Sequence, residues 1–174
     1  LLLDANGNTV DHMTYASRQQ SEMIIDPEGV ALERIDPNRA SDYTDNWHSA
    51  SYTSGYGTPT AKNSQSISSS QGNDAIQVEP IVFTPDNDGR DDVLQIHYKL
   101  QEPGTVLTVQ VFDLKGALIC TPVSGGVCGT EGVFYWNGII PGRTALRSGI
   151  YLLLIEGFGK SGRKLHCKKT FAVR

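Results

Sequence analysis

The chain has 174 residues, enough for one large domain or two small ones, and 39% of them are apolar, enough to build a packed core. A net charge of −4, with no basic patch interleaved with aromatics, argues against a nucleic-acid surface. No apolar run approaches the ~20 residues of a membrane helix, and eighteen Gly with many Ser, Thr and Asn point to frequent turns.

The chain opens on Leu1-Leu2-Leu3 with no basic segment before it and no initiating Met. It therefore reads as a fragment whose upstream part is missing, not as a signal peptide. Residues 2–4 and 9–15 read as a hairpin about Asn6-Gly7, a type I′ signal, because both central residues of that turn take positive φ. Residues 16–28 are polar loop. Val30 to Ile35 is a short strand, and residues 37–52 are irregular, with Trp47 the one large anchor. From Ser64 to Asn73 the only apolar side chain is Ile67, so this stretch buries too little surface to order itself and reads as a linker.

Beyond Ile76 a steady rhythm of strands and turns begins, with candidate strands at 76–83, 93–100, 105–113, 116–121, 132–136, 149–157 and 163–173. Leu94, Ile96, Tyr98 and Leu100 alternate with Gln95, His97 and Lys99, and Leu107, Val109 and Val111 alternate with Thr108 and Gln110. Period two is the signature of a strand with one buried face. Pro103-Gly104, Lys115-Gly116, Asn137-Gly138 and Ser161-Gly162 punctuate the runs, and the whole indicates an all-β sandwich. Lys164, Lys168 and Lys169 mark the last strand as an edge.

Two family resemblances follow from particular residues. Gly29 to Pro37, Asn46-Trp47, Ser49-Ala50-Ser51, Gly55 to Pro59 and Asn63-Ser64 resemble the C-terminal half of a bacterial lamin-tail domain, with that fold's first strands absent. Phe83 to Asp92, Val111 to Gly116, Trp136-Asn137-Gly138, Ser148 to Tyr151 and Lys168 to Arg174 resemble the immunoglobulin-like domain of the flagellar hook-capping protein, and equally the C-terminal domains of gliding-motility and type IX-secreted proteins. The resemblances imply two immunoglobulin-like β-sandwich modules in tandem: a partial one over 1–63, a linker over 64–75 and a complete one over 76–174. They also imply that the last module is an address read by the outer-membrane secretion machinery.

The densest polar cluster is Asp86-Asn87-Asp88-Gly89-Arg90-Asp91-Asp92. Asp86, Asp88, Asp91 and Asp92 can wrap a hard cation such as calcium, which takes six to eight oxygens from flexible loops. The same residues also read as a solvated Asx-turn loop leading into Val93. Gly157 to Gly162 superficially follows a phosphate loop, but a strand follows where a helix is needed, so it reads as a hairpin turn. None of His12, His48, His97 and His166 is spaced for a metal at i, i+4, and Ser148-Gly149 lacks the frame of a nucleophile elbow. Trp47 and Trp136 read as core anchors.

Three Cys occur without a CxxC pair. Between Cys120 and Cys128, Pro122, Gly125 and Gly126 allow the chain to turn back, so these two are expected to form a disulfide in an oxidising compartment, the alternative being three reduced, unlinked thiols. Cys167 is expected to stay free, in phase with Leu165, Phe171 and Val173 on a buried face.

The expected function is non-enzymatic: the C-terminal region of a protein secreted by, or anchored on, a Gram-negative bacterium, its last domain acting in export and retention. One alternative is the tail of a secreted nuclease or phosphatase whose catalytic domain lies upstream. Another is a surface adhesin that binds a cell-surface glycan or another surface protein.

Overall fold

The computed structural model describes residues 1–67, 75–140, 142 and 146–174. In chain order, β1 (Leu2–Leu3) and β2 (Thr9–Asp11) form one antiparallel ribbon, and β3 (Leu32–Arg34) and β4 (Trp47–Ser49) form another. Eight further strands follow: β5 (Ala75–Glu79), β6 (Val82–Phe83), β7 (Leu94–Lys99), β8 (Val106–Asp113), β9 (Leu118–Val127), β10 (Glu131–Trp136), β11 (Gly149–Phe158) and β12 (Lys164–Val173). They build a three-stranded sheet, β10-β7-β5, and a five-stranded sheet, β6-β12-β11-β8-β9. All neighbours are antiparallel except β6 and β12, which run parallel over two residues.

The alternating pattern places the core as expected. Leu94, Ile96 and Tyr98 of β7 face Leu107, Val109 and Val111 of β8 and Tyr151, Leu153 and Ile155 of β11 across one buried cluster. Leu153 and Ile155 are fully buried, and truncation of either to Ala costs about 2–5 kcal/mol. Trp136 is a core anchor, as its sequence setting suggests.

The expected strand 76–83 is two strands in different sheets. β5 pairs with β7, the chain crosses at Glu79-Pro80, and β6 pairs with β12. Pro80 has no N–H with which to continue a ladder, so the first strand stops there.

The hairpins share one chemistry. At β8–β9, Gly116 N–H donates to Asp113 O at 3.0 Å and Asp113 N–H to Ala117 O at 3.0 Å, while the Asp113 carboxylate accepts from Lys115 and Ala117 N–H. The same backbone pattern recurs at Asp4-Gly7-Asn8 and at Gly159-Gly162-Arg163, with Gly7, Gly116 and Gly162 at positive φ. Asn6 is not at positive φ, so the first hairpin is a type I turn with a glycine bulge, not type I′. Gly157 to Gly162 is a hairpin, as its following strand required.

Residues 1–63 do not form a second sandwich. Their regular elements are the two ribbons and three 3-10 turns, Ser17–Gln19, Thr44–Asn46 and Tyr52–Ser54. Two ribbons are too few to cover each other's faces, so this lobe leans on the sandwich. The outer edge of β10 is covered by the Tyr52–Ser54 turn and by Ser64–Ser66: Thr130 N–H donates to Ser64 O at 3.1 Å and Thr130 Oγ1 to Ser66 O at 2.9 Å. Of the expected linker 64–75, residues 68–74 lie outside the described residues, while Gln65 is fully buried in this seam.

Candidate functional site

The acidic loop connects β6 to β7. Thr84 clasps its base: Thr84 N–H donates to Asp91 O at 2.9 Å and Thr84 Oγ1 to Arg90 O at 2.9 Å. Inside the loop, the Asp92 carboxylate accepts from Asn87 N–H and Gly89 N–H, and Asp88 Oδ1 accepts from Arg90 N–H at 2.7 Å. Asn87 and Asp91 take positive φ, 62° and 54°, as does Gly89. This winding brings Asp86, Asp88 and Asp92 together, with one carboxylate oxygen of each lying within 4.8 Å of the others. Asp91 stays out of the group, its backbone carbonyl spent on Thr84. Among the described residues, this is the one set of three or more His, Cys, Asp or Glu side chains close enough to share an ion. The group offers one carboxylate oxygen from each of three side chains on an exposed loop, the donor type that a hard cation takes, and both Asp92 oxygens already accept a backbone bond.

The expected Cys120–Cys128 disulfide does not exist: all three cysteines are free. β9 runs from Leu118 to Val127 without reversing, bulged where Gly125 takes positive φ, so the two thiols sit at its opposite ends. Cys120 pairs across from Val111, while Cys128 N–H donates to Thr105 O at 2.8 Å. At ~3.3 Å per residue that separation is on the order of 20 Å, against the ~3.8 Å between Cβ atoms in a disulfide. Pro122, Gly125 and Gly126 are absorbed in a strand whose register against β8 shifts repeatedly, and they do not reverse the chain. Burial pushes the Cys128 thiol up to about 12 and the Cys120 thiol up to about 11. Cys167 is half-buried against the core.

The seam between lobe and sandwich was not visible in the sequence. Glu33 is buried and accepts from Thr58 Oγ1, from Ser64 Oγ at 2.6 Å and from Gln65 N–H at 3.2 Å. Gln65 in turn accepts from Gly104 N–H at 2.8 Å and donates from Nε2 to Ser49 O at 2.7 Å. The His48 ring lies on Gly104, where a Cβ would come within 2.2 Å of Nε2. Burial holds the His48 imidazole below its ordinary value, and the Lys160 charge adds to the shift. Burial, then the neighbouring Cys128, raises the Tyr98 phenol well above its usual range. A carboxylate in phase with Ala31 and Ile35 was the one sequence signal for this network.

The remaining histidines form no cluster. His166 Nδ1 lies 3.5 Å from Glu156 and His12 Nε2 4.0 Å from Asp42, both at exposed positions. Trp47 is half-buried, and its indole N–H donates to Ser41 O at 2.8 Å.

No family model and no curated protein matches the chain. Among solved structures it is similar to CopC from Methylosinus trichosporium OB3b, at 15% identity over 47% of this chain and 74% of that one, with a TM-score of 0.33. It is similar to the soluble domain of PmoD from Methylocystis sp., at 13% identity over 58% and 90% of the two chains, with a TM-score of 0.36. It is similar also to PorZ of Porphyromonas gingivalis, described as a surface component of the type-IX secretion system, at 19% identity over 57% of this chain, with a TM-score of 0.35; the match spans 11% of PorZ.

Proposed function

We propose that residues 76–174 are a non-catalytic module for export and retention, carried by a bacterial protein that is secreted or held at the cell surface. Its partner in this reading is the outer-membrane secretion machinery. The observation that carries the reading is the convergence of four separate motifs that resemble that family. Phe83, Trp136, Tyr151 and Phe171 come from four different motifs and meet in one aromatic cluster. Their ring centroids lie 6.0 Å apart for Phe83–Trp136, 6.2 Å for Phe83–Phe171, 6.2 Å for Trp136–Phe171 and 5.7 Å for Tyr151–Phe171. That residues this far apart in sequence serve one core supports the immunoglobulin-like sandwich that the motifs imply. In the same reading the Asp86, Asp88 and Asp92 carboxylates hold calcium as a clamp on the β6–β7 loop.

The test is deletion of residues 168–174 in the producing bacterium. The truncated protein is expected to be made and to remain in the periplasm. Normal display of that truncation at the cell surface overturns the reading.

A further inference from the structure

The two sheets end on the same side of the sandwich in strands with little beside them. β5 is the outer strand of the three-stranded sheet. β12 is covered by β6 only at Ala172 and Val173, so Lys164–Thr170 has no strand on that side among the described residues. Between the two edges runs a groove of about 640 Å³, lined by Gln77, Val78, Glu79 and Ile81 on one side and by Leu152, Lys168, Lys169 and Thr170 on the other.

The backbone of this edge is oriented for pairing. Ala172 N–H donates to Ile81 O at 2.9 Å and Arg174 N–H to Phe83 O at 3.1 Å. Successive residues of a strand turn their backbone groups to alternate sides. Thr170, Lys168 and His166 therefore present N–H and C=O along the same line, past the point where β6 begins. The seven residues Lys164–Thr170 offer about 23 Å of edge at ~3.3 Å per residue.

The side chains decide what can use it. Lys169 shares the phase of Phe171 and Val173, the core-facing side, yet is exposed, and among the described residues no strand lies beside it on that edge. A strand added here covers that ammonium, and a covered ammonium without a counter-charge is strongly disfavoured. A second copy of this edge would set Lys168 and Lys169 against themselves, which disfavours self-pairing. Among the described residues, Glu79 is the one carboxylate that lines the groove, on the opposite wall from the two lysines. Charge therefore selects the occupant.

We propose that the β12 edge takes an added strand from a partner protein, an extended peptide that sets carboxylates against Lys169 on the core-facing side while its apolar side chains, on the other face, meet Leu152 beside Thr170. The mode is strand addition, with main-chain bonds supplying affinity and the lysines supplying selection.

The test uses the whole chain and a capped heptapeptide of alternating valine and glutamate, followed by NMR and amide hydrogen exchange. Saturation is expected to slow exchange at Lys168 and Thr170 at least ten-fold, with shifts confined to β12, β5 and Ile81. The matching valine–lysine peptide is expected to do nothing. Lys169→Glu, at an exposed position, should leave the melting temperature unchanged, abolish the response to the acidic peptide and create one to the basic peptide. No perturbation by the acidic peptide at millimolar concentration overturns the proposal. So does an equal response to both peptides, or a concentration-dependent dimer that protects the same edge without any peptide.

Discussion

The Tyr98 phenol, on the middle strand β7, and the Thr53 hydroxyl, in the Tyr52–Ser54 turn, share a hydrogen bond of 2.6 Å. It is one of several polar ties that make the N-terminal lobe dependent on the sandwich, and Gln65 is the most enclosed of them. Gln65→Ala removes one of the two acceptors of Gly104 N–H, the other being Cys128 O at 3.0 Å, and the side-chain donor to Ser49 O inside a buried seam. A loss of about 2 kcal/mol is expected, read from urea unfolding. Residues 1–60 made alone are expected not to fold, because their buried groups lose the surface they rest on. A cooperative, monomeric melt of that fragment contradicts the dependence.

The seam is also expected to sense pH through His48. Burial favours its neutral form, so the folded imidazole holds its proton less tightly than the unfolded one. The unfolded state then binds more protons below about pH 6.5, and stability falls as pH drops from there toward the lower folded value. The contribution is fully present above pH 6.5. Arg18, Glu22, Asp45 and Lys160 line the cleft beside the ring. His48→Gln is expected to flatten the melting temperature between pH 7.5 and 5.5, and an unchanged slope shows that other groups set it.

Thiol labelling separates the three cysteines. Without any reductant, the denatured chain is expected to take three labels, since none is paired. In the native protein Cys128 is expected to resist labelling, because it is fully buried and its thiol is held up to about 12, which leaves almost no thiolate at neutral pH. One label per denatured chain restores the disulfide, and rapid native labelling at Cys128 contradicts its enclosure.

If the β6–β7 loop holds calcium, millimolar calcium raises the melting temperature by mass action. Asp88→Ala is expected to remove the rise, and Asp91→Asn to keep it, because the Asp91 carboxylate stands outside the group. Absence of a shift in the unaltered protein leaves the loop as a set of Asx turns.

Strand positions in residues 75–174 were legible because one face of each strand is buried, and burial imprints period two on Leu94 to Leu100 and Leu107 to Val111. β9 was not: Pro122, Gly125 and Gly126 are turn residues by type, and pairing with β8 spends them on register shifts, Gly125 at positive φ, without reversing the chain. The same misreading produced the disulfide. In the acidic loop, composition gave four candidates, but the positive φ at Asn87 and Asp91 determines which carboxylates converge. The seam was hidden because its contacts run between Gln65 and Gly104, or Thr53 and Tyr98, whose partners carry no local pattern. Only Glu33, in the apolar phase of a strand, hinted at it.

The crossing at Glu79-Pro80 gives the sandwich a mechanical character. β6 lies parallel to the end of β12, held by Ala172 N–H on Ile81 O and Arg174 N–H on Phe83 O. A pull applied between the start of β5 and residue 174 draws these two parallel strands past each other. The bonds between them are then loaded together, in shear, and cannot be peeled open one after another. Any tether at the end of β12 therefore acts on a clasp that resists tension along the chain, while the same strands stay free to part sideways.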